Sequence, residues 1–317
     1  MPVNVVRFSY QNTIQWGVWR HKRITVIPGD FESTGDFLRH NTVEQLITLE
    51  GPELHAEAVH LLAPITYNQQ FVCQGANYRQ HMIESGMDPD AKHFNMIFTK
   101  ASSCLASADC DLIKPRKVQL LDYEIELGLV LKRDITEKVM VTDDSLHQFI
   151  AGAVVVNDYS ARDIQIPQMQ FYKGKSFRTF GPVGPYLCLL GAQDIHHLKN
   201  LDLRLTVNGE VRQNDSTANL IHGPAATLTE LSSIQDLHAG DIIATGTPAG
   251  CALSIPSPFV QRIATLLPEH IKWKAFMRTQ LKRRQYLKAG DIVEASIRST
   301  DGLIDLGVQR NLVVDER

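Results

Sequence analysis

The chain is 317 residues long, with 44% hydrophobic and 21% charged residues, which supports one large folded unit or one with a small companion. A short peptide, a long array and wholesale disorder are excluded. Thirty-two Lys and Arg against 35 Asp and Glu leave a net charge of −3, which excludes the whole-chain basic footprint of a nucleic-acid or membrane-surface binder.

The five cysteines, Cys73, Cys104, Cys110, Cys188 and Cys251, are scattered and form no Cys-x-x-Cys pair, so the sequence predicts neither a disulfide framework nor a zinc ribbon. A reducing cytoplasm is the expected setting. No apolar leader follows Met1 and no apolar run approaches membrane-spanning length, so no export signal, anchor or membrane partner is expected.

In chain order, Val3–Phe8, Ile14–Trp19 and Ile24–Ile27 read as strands, with Pro28-Gly29 closing the third. Thr42–Leu49 reads as a short amphipathic helix and Leu54–Leu62 as a second helical stretch, halted by Pro64. These make a small N-terminal α+β domain over 1–68, with a second domain over 69–317. In the latter, Gln70–Cys73, Tyr123–Leu131, Phe149–Val156, Tyr186–Leu190, Leu201–Val207, Ile242–Thr245 and Ile292–Ile297 are the expected strands. Leu237-His238-Ala239-Gly240-Asp241-Ile242 echoes Leu287-Lys288-Ala289-Gly290-Asp291-Ile292, which predicts a duplicated corner, each turn feeding a strand. The fold class is therefore α+β and β-dominated. A basic helical insertion at about 254–286 interrupts it, and 259–288 carries eight basic residues against Glu269. Its aromatics are too sparse for base stacking, so it reads as a solvated helix rather than a nucleic-acid arm.

Candidate chemistry sits on the strands. Glu124 and Glu126 are two apart, and a strand's period of two puts both carboxylates on one face. A solvated face is the plain alternative. Asp158 emerges at the end of Ile150–Val156, a run apolar enough for burial on both faces, where a carboxylate is costly unless paired, metal-bound or turned into a cap. Three carboxylates without thiolate or imidazole suit Mg²⁺, Mn²⁺ or Ca²⁺ rather than Zn²⁺. Asn77-Tyr78-Arg79-Gln80 has the spacing of a capping box opening a short helix that Gly86 ends. On that helix His81 and Glu84, three apart, form either a water-activating pair or an ordinary surface pair. Lys175 is either a partner for a developing oxyanion or a loop charge.

Together these stretches resemble the fumarylacetoacetate hydrolase family. The resemblance is carried by Gly75-Ala76-Asn77-Tyr78 with His81 and Glu84, Asp122 to Leu127, Asn157 to Gln165, Lys175-Ser176-Phe177, Val207 to Gln213 and Leu237 to Gly250, in family order over about residues 70–313. It implies a mixed β-roll or barrel catalytic domain, usually dimeric, with Mg²⁺ or Mn²⁺ on Glu124, Glu126 and Asp158. His81 and Glu84 match the family's water-activating dyad on a lid helix, Lys175 the lysine near the metal, and Arg162, Gln165 and Thr247 groups around the substrate. Ala101 follows Lys100 where many relatives have proline, which weakens the transfer of Lys100. The implied reaction is hydrolysis of a C–C bond in a small 2-oxo acid or 1,3-dicarbonyl through a cation-stabilised enolate. Decarboxylation or isomerisation on the same site, or a non-catalytic ligand-binding roll with a structural cation, are the alternatives. Expected partners are the oxo acid and a second copy of the chain.

Overall fold

The computed structural model describes residues 1–90, 94–255 and 268–317. Strands Val3–Tyr10, Thr13–Arg20 and Arg23–Val26 form an antiparallel meander. Its two tight turns, Gln11-Asn12 and His21-Lys22, have both residues at positive φ, between 47° and 64°. That is the mirror-type turn whose twist matches paired strands. Helix Thr34–His40 follows, its first turn held by Asp36 N–H donating to Ser33 Oγ at 3.0 Å. The sequence pattern did not reveal this helix. Its apolar side carries Phe37, fully buried and stacked on Trp16 at 4.2 Å. Helix Val43–Ile47 lies inside the expected Thr42–Leu49 and opens with a capping box between Thr42 and Gln45.

The helix expected over Leu54–Leu62 is not formed. Strand Glu53–His55 pairs with Arg23–Val26, a 3₁₀ turn covers Ala56–Ala58, and strand His60–Leu62 pairs with Val3–Tyr10. Ladder bonds offered by the meander outweigh a weak local helix preference.

The meander's sheet continues past residue 68. From Val3–Tyr10 it passes to Leu187–Leu189, Ile150–Asn157, Ile125–Leu131, Ile242–Ala244, Phe71–Gly75 and Met96–Lys100. Ile125–Leu131 and Ile150–Asn157 are buried at every position, as their unbroken apolarity predicts. A second sheet, in the order Glu210–Ser216, Leu201–Val207, Ile292–Ser299, Asp305–Asp315 and Leu112–Lys114, packs its middle against Ile150–Asn157. Both sheets mix parallel and antiparallel pairs. The fold is β-dominated, and among the described residues its sheets stay open rather than closing into a barrel.

The duplicated corners are real structural equivalents. In each, the Asp carboxylate accepts from a backbone N–H three residues earlier, His238 to Asp241 and Lys288 to Asp291, both at 2.8 Å. Gly240 and Gly290 take φ of +91° and +93°, and strands Ile242–Ala244 and Ile292–Ser299 follow. Of the basic insertion, residues 256–267 lie outside the described residues. The rest contains helix Glu269–Gln280, anchored by Gln280 Nε2 donating to Ser254 O at 2.6 Å and Arg283 Nε donating to Ala252 O at 2.8 Å.

Candidate active site

Antiparallel pairing places Ile125 opposite Asn157, so the start of one fully buried strand meets the end of the other. Asp158 N–H donates to Glu124 O at 2.8 Å, and Glu124 N–H donates to Asn157 Oδ1 at 3.0 Å. That register brings Glu124, Glu126 and Asp158 together, each with an oxygen within 4.8 Å of the others'. Glu124 stands just before the regular strand rather than in it, yet it joins Glu126 in the cluster. All three are at most 4% exposed, which excludes the solvated-face alternative.

Buried carboxylates require compensation. Lys175 Nζ bridges Glu124 Oε2 and Asp158 Oδ2, the latter at 2.5 Å. Lys100 Nζ, at the end of Met96–Lys100, donates to Asp158 Oδ1 at 2.5 Å and to Phe180 O at 2.7 Å. Arg162 opens helix Arg162–Gln168 and reaches three partners: Glu124, Asp122 Oδ2 at 2.8 Å and Gln165 Oε1 at 2.8 Å. Burial alone would raise the Glu124 carboxyl, but the Arg162 and Lys175 charges outweigh it and hold the group well below the usual carboxylate range. Burial alone would lower Lys175, and the Asp158 and Glu124 charges instead raise it. Lys175 is therefore a fixed cation.

Glu126 has a different environment. Its Oε2 accepts from Gly246 N–H at 2.9 Å, and no cation pairs with it among the described residues. Burial first, then the charges of Asp158 and Glu124, push its carboxyl well above 4.5. A cluster of three carboxylates in which one lacks a cation has the donor chemistry of a hard divalent-ion site, and the residues fit such an ion. The Gly246 donor depends on a φ of +88°, with an added Cβ lying 2.9 Å from Asn77 Cβ.

The short helix that carries His81 and Glu84 forms over Arg79–Glu84 and ends at Gly86, whose φ is +70°. Its expected capping box is absent. Tyr78 takes the cap position, and Asn77 instead donates to Thr245 O at 2.9 Å and accepts from His222 N–H at 2.7 Å. The His81–Glu84 dyad is not assembled either. His81 is buried, with Nε2 3.5 Å from Ser85 Oγ and Nδ1 3.8 Å from Cys251 Sγ. Glu84 is exposed and accepts from Gly250 N–H at 3.0 Å. Three residues of helix advance leave the two side chains about 60° apart around the axis, and the edge of the buried face falls between them. Burial dominates the shift of His81 and lowers its pKa, so the imidazole is neutral at neutral pH.

His81, Glu124, Glu126, Arg162, Gln165, Lys175 and Thr247 all line one cavity of about 200 Å³. Its other wall is apolar, with Met87, Met96, Phe98, Phe171 and Leu253. Thr247 Oγ1 donates to Ile125 O at 2.9 Å and accepts from Gln213 Nε2 at 2.8 Å. Sequence reasoning carried Lys100 over only weakly and gave no role to Asp122, which anchors Arg162 and accepts from Ala252 and Leu253 N–H at 2.7 and 3.0 Å. A signal was present, since Asp122 opens the Asp122–Leu127 stretch.

Residues 70–314 match the family model described as fumarylacetoacetate hydrolase C-terminal. The chain belongs to the fumarylacetoacetate hydrolase family. Residues 5–64 match a second model, described as Rv2993c-like, N-terminal. Oxaloacetate tautomerase YisK of Bacillus subtilis is 36% identical over 203 residues, covering 63% of this chain and 65% of that protein. The match thus spans just under two thirds of that relative's length. Among solved structures, a fumarylacetoacetate hydrolase from Exiguobacterium antarcticum is 27% identical with a TM-score of 0.75, covering 99% of this chain and 100% of that one. A probable 2-hydroxyhepta-2,4-diene-1,7-dioate isomerase from Mycobacterium abscessus is 29% identical with a TM-score of 0.72, covering 99% of each chain. Among the described residues no helix is long and apolar enough to cross a membrane.

Proposed function

We propose that this enzyme interconverts keto and enol forms of a small 2-oxo dicarboxylic acid, as a tautomerase or isomerase, rather than hydrolysing a C–C bond. The observation that carries the reading is the separation of His81 from Glu84: a water-activating pair is not in place, while the groups an enolisation needs are. Glu124, Glu126 and Asp158 would hold Mg²⁺ or Mn²⁺, with Ca²⁺ also suited to an all-oxygen set. Such an ion supplies Lewis acidity toward the oxygens of a 2-oxo acid.

The chain's own residues supply the rest. Neutral His81 is the form that accepts a proton from the carbon beside the carbonyl, and its imidazolium then gives that proton to the enolate oxygen to complete the enol, the reverse transfers regenerating the keto acid. Lys175 remains an ammonium and offsets negative charge growing on the carbonyl oxygen, without acting as a base. Arg162 and Gln165 orient the acid's second carboxylate, and the apolar wall keeps water from the carbanion. A cavity of about 200 Å³ fits a small acid, below the ~300–1,000 Å³ of drug-sized ligands. The Bacillus relative is named for oxaloacetate, and that acid is the substrate we would test first.

Hydrolysis is the second reading, favoured by His81 at the cavity wall and by the Exiguobacterium hydrolase structure. It requires Glu84 to leave Gly250 and reach His81. We further propose a cytoplasmic homodimer, which light scattering in solution tests. The deciding assay adds enol oxaloacetate and, separately, an acylpyruvate, following enol absorbance together with products by NMR. Faster enol-to-keto conversion with an intact carbon skeleton supports the proposal. Cleavage into two acids, or CO₂ release, with an unaccelerated keto–enol rate overturns it.

A further inference from the structure

Cys251 has no part in the reaction above, yet it is 93% buried beside two of the site's groups. The chain reaches it through Gly250, whose φ of +102° and 2.0 Å approach of an added Cβ to Arg212 O admit no side chain. Its Sγ lies 3.8 Å from His81 Nδ1, and His81, Glu124 and Cys251 each offer a ligand atom within 4.8 Å of the others. Bonds of about 2.3 Å to sulfur and about 2.0 Å to nitrogen, at a tetrahedral angle, separate the two donors by about 3.5 Å. The observed spacing needs only a few tenths of an ångström of adjustment. Ser85 Oγ faces the other ring nitrogen, and a proton held there leaves Nδ1 as the free lone pair.

We propose that His81, Glu124 and Cys251 form a second cation site, selective for a zinc-class ion, that shares Glu124 with the three-carboxylate site. One nitrogen, one sulfur and one oxygen suit a borderline-soft ion, whereas three oxygens suit a hard one, so the two sites sort ions by chemistry. On binding, the thiol passes its proton to solvent and the thiolate becomes the ligand. Because Glu124 serves both sites and His81 becomes a ligand, zinc occupancy weakens the hard ion's hold and removes the proton acceptor. The site is thus an inhibitory one.

The test uses the purified, ion-stripped full chain and Co²⁺ as a spectroscopic stand-in for Zn²⁺. Wild type is expected to develop a thiolate-to-cobalt absorption band that Zn²⁺ abolishes and that Cys251→Val lacks. Mn²⁺ binding, followed by electron paramagnetic resonance, is retained in Cys251→Val and confirms that the variant is folded. At Zn²⁺ ten times its own dissociation constant, the apparent Mn²⁺ dissociation constant in wild type rises about tenfold and in Cys251→Val stays put. His81→Asn, carried in parallel, also loses the band. The cobalt band tests the new site whether or not the carboxylates hold Mn²⁺, so failure of one reading is separable from failure of the other. No band in wild type, a band that survives in Cys251→Val, or equal zinc competition in both proteins overturns the proposal.

Discussion

Replacing Glu126 by Gln should strengthen the ion-free fold while removing its response to divalent ions. In the folded chain the Glu126 carboxyl is pushed well above 4.5 by burial and by Asp158 and Glu124, so it keeps its proton where the unfolded chain has lost it. For an acid with a raised folded pKa, the folded state binds the extra proton, and stability falls as pH rises from the unfolded pKa toward the folded one. At neutral pH wild type bears that loss, about 1.4 kcal/mol for each unit of upward shift. Glutamine never ionises, and its carbonyl can still accept from Gly246 N–H, a bond of 2.9 Å in the native site. Each kcal/mol recovered is worth roughly 2–4 °C in Tm for a chain of this class. In chelator the variant should therefore melt above wild type near neutrality, and the gap should close as pH falls to about the ordinary carboxylate value of 4.5. Adding Mn²⁺ at a hundred times its dissociation constant should stabilise wild type by about 2.7 kcal/mol and the variant hardly at all. Scanning calorimetry across pH, with and without Mn²⁺, measures both arms. A variant less stable than wild type in chelator, or one with the full Mn²⁺ increment, refutes the reasoning.

Lys100→Met removes one of two ammonium groups on a fully buried carboxylate. Breaking such a pair costs about 3–5 kcal/mol, and the low end is expected because Lys175 stays on Asp158; urea denaturation showing wild-type stability would count against it. The lowered pKa of His81 in the free enzyme places the acid limb of kcat/KM below the ordinary 6.5, with a plateau through neutrality. His81→Asn should abolish turnover while leaving Mn²⁺ binding nearly intact, and a wild-type rate or an acid limb above 6.5 would exclude His81 as proton acceptor. Gly250→Ala drives a Cβ to 2.0 Å from Arg212 O at a φ of +102°, so it should lose at least the ~1–3 kcal/mol of a strained backbone. An unchanged denaturation midpoint would show that the loop yields.

Local pattern carried much of this protein. Unbroken apolar runs marked the two buried strands, and the repeated Ala-Gly-Asp-Ile corner folded alike in both copies because its bonds lie within four residues. The Glu-x-Glu spacing and the position of Asp158 after an apolar strand were enough to assemble the carboxylate cluster, since strand period and register do the placing. Tertiary structure decided what no short window contains. Residues 54–62 became edge strands because distant strands offered unfilled hydrogen bonds. Lys100 meets Asp158 across 58 positions, and Cys251 meets His81 across 170, so charge compensation and metal-ligand grouping depend on packing rather than on spacing. The parting of His81 from Glu84 has the same origin: the helix has one buried side, and the core chose which of the two would face it.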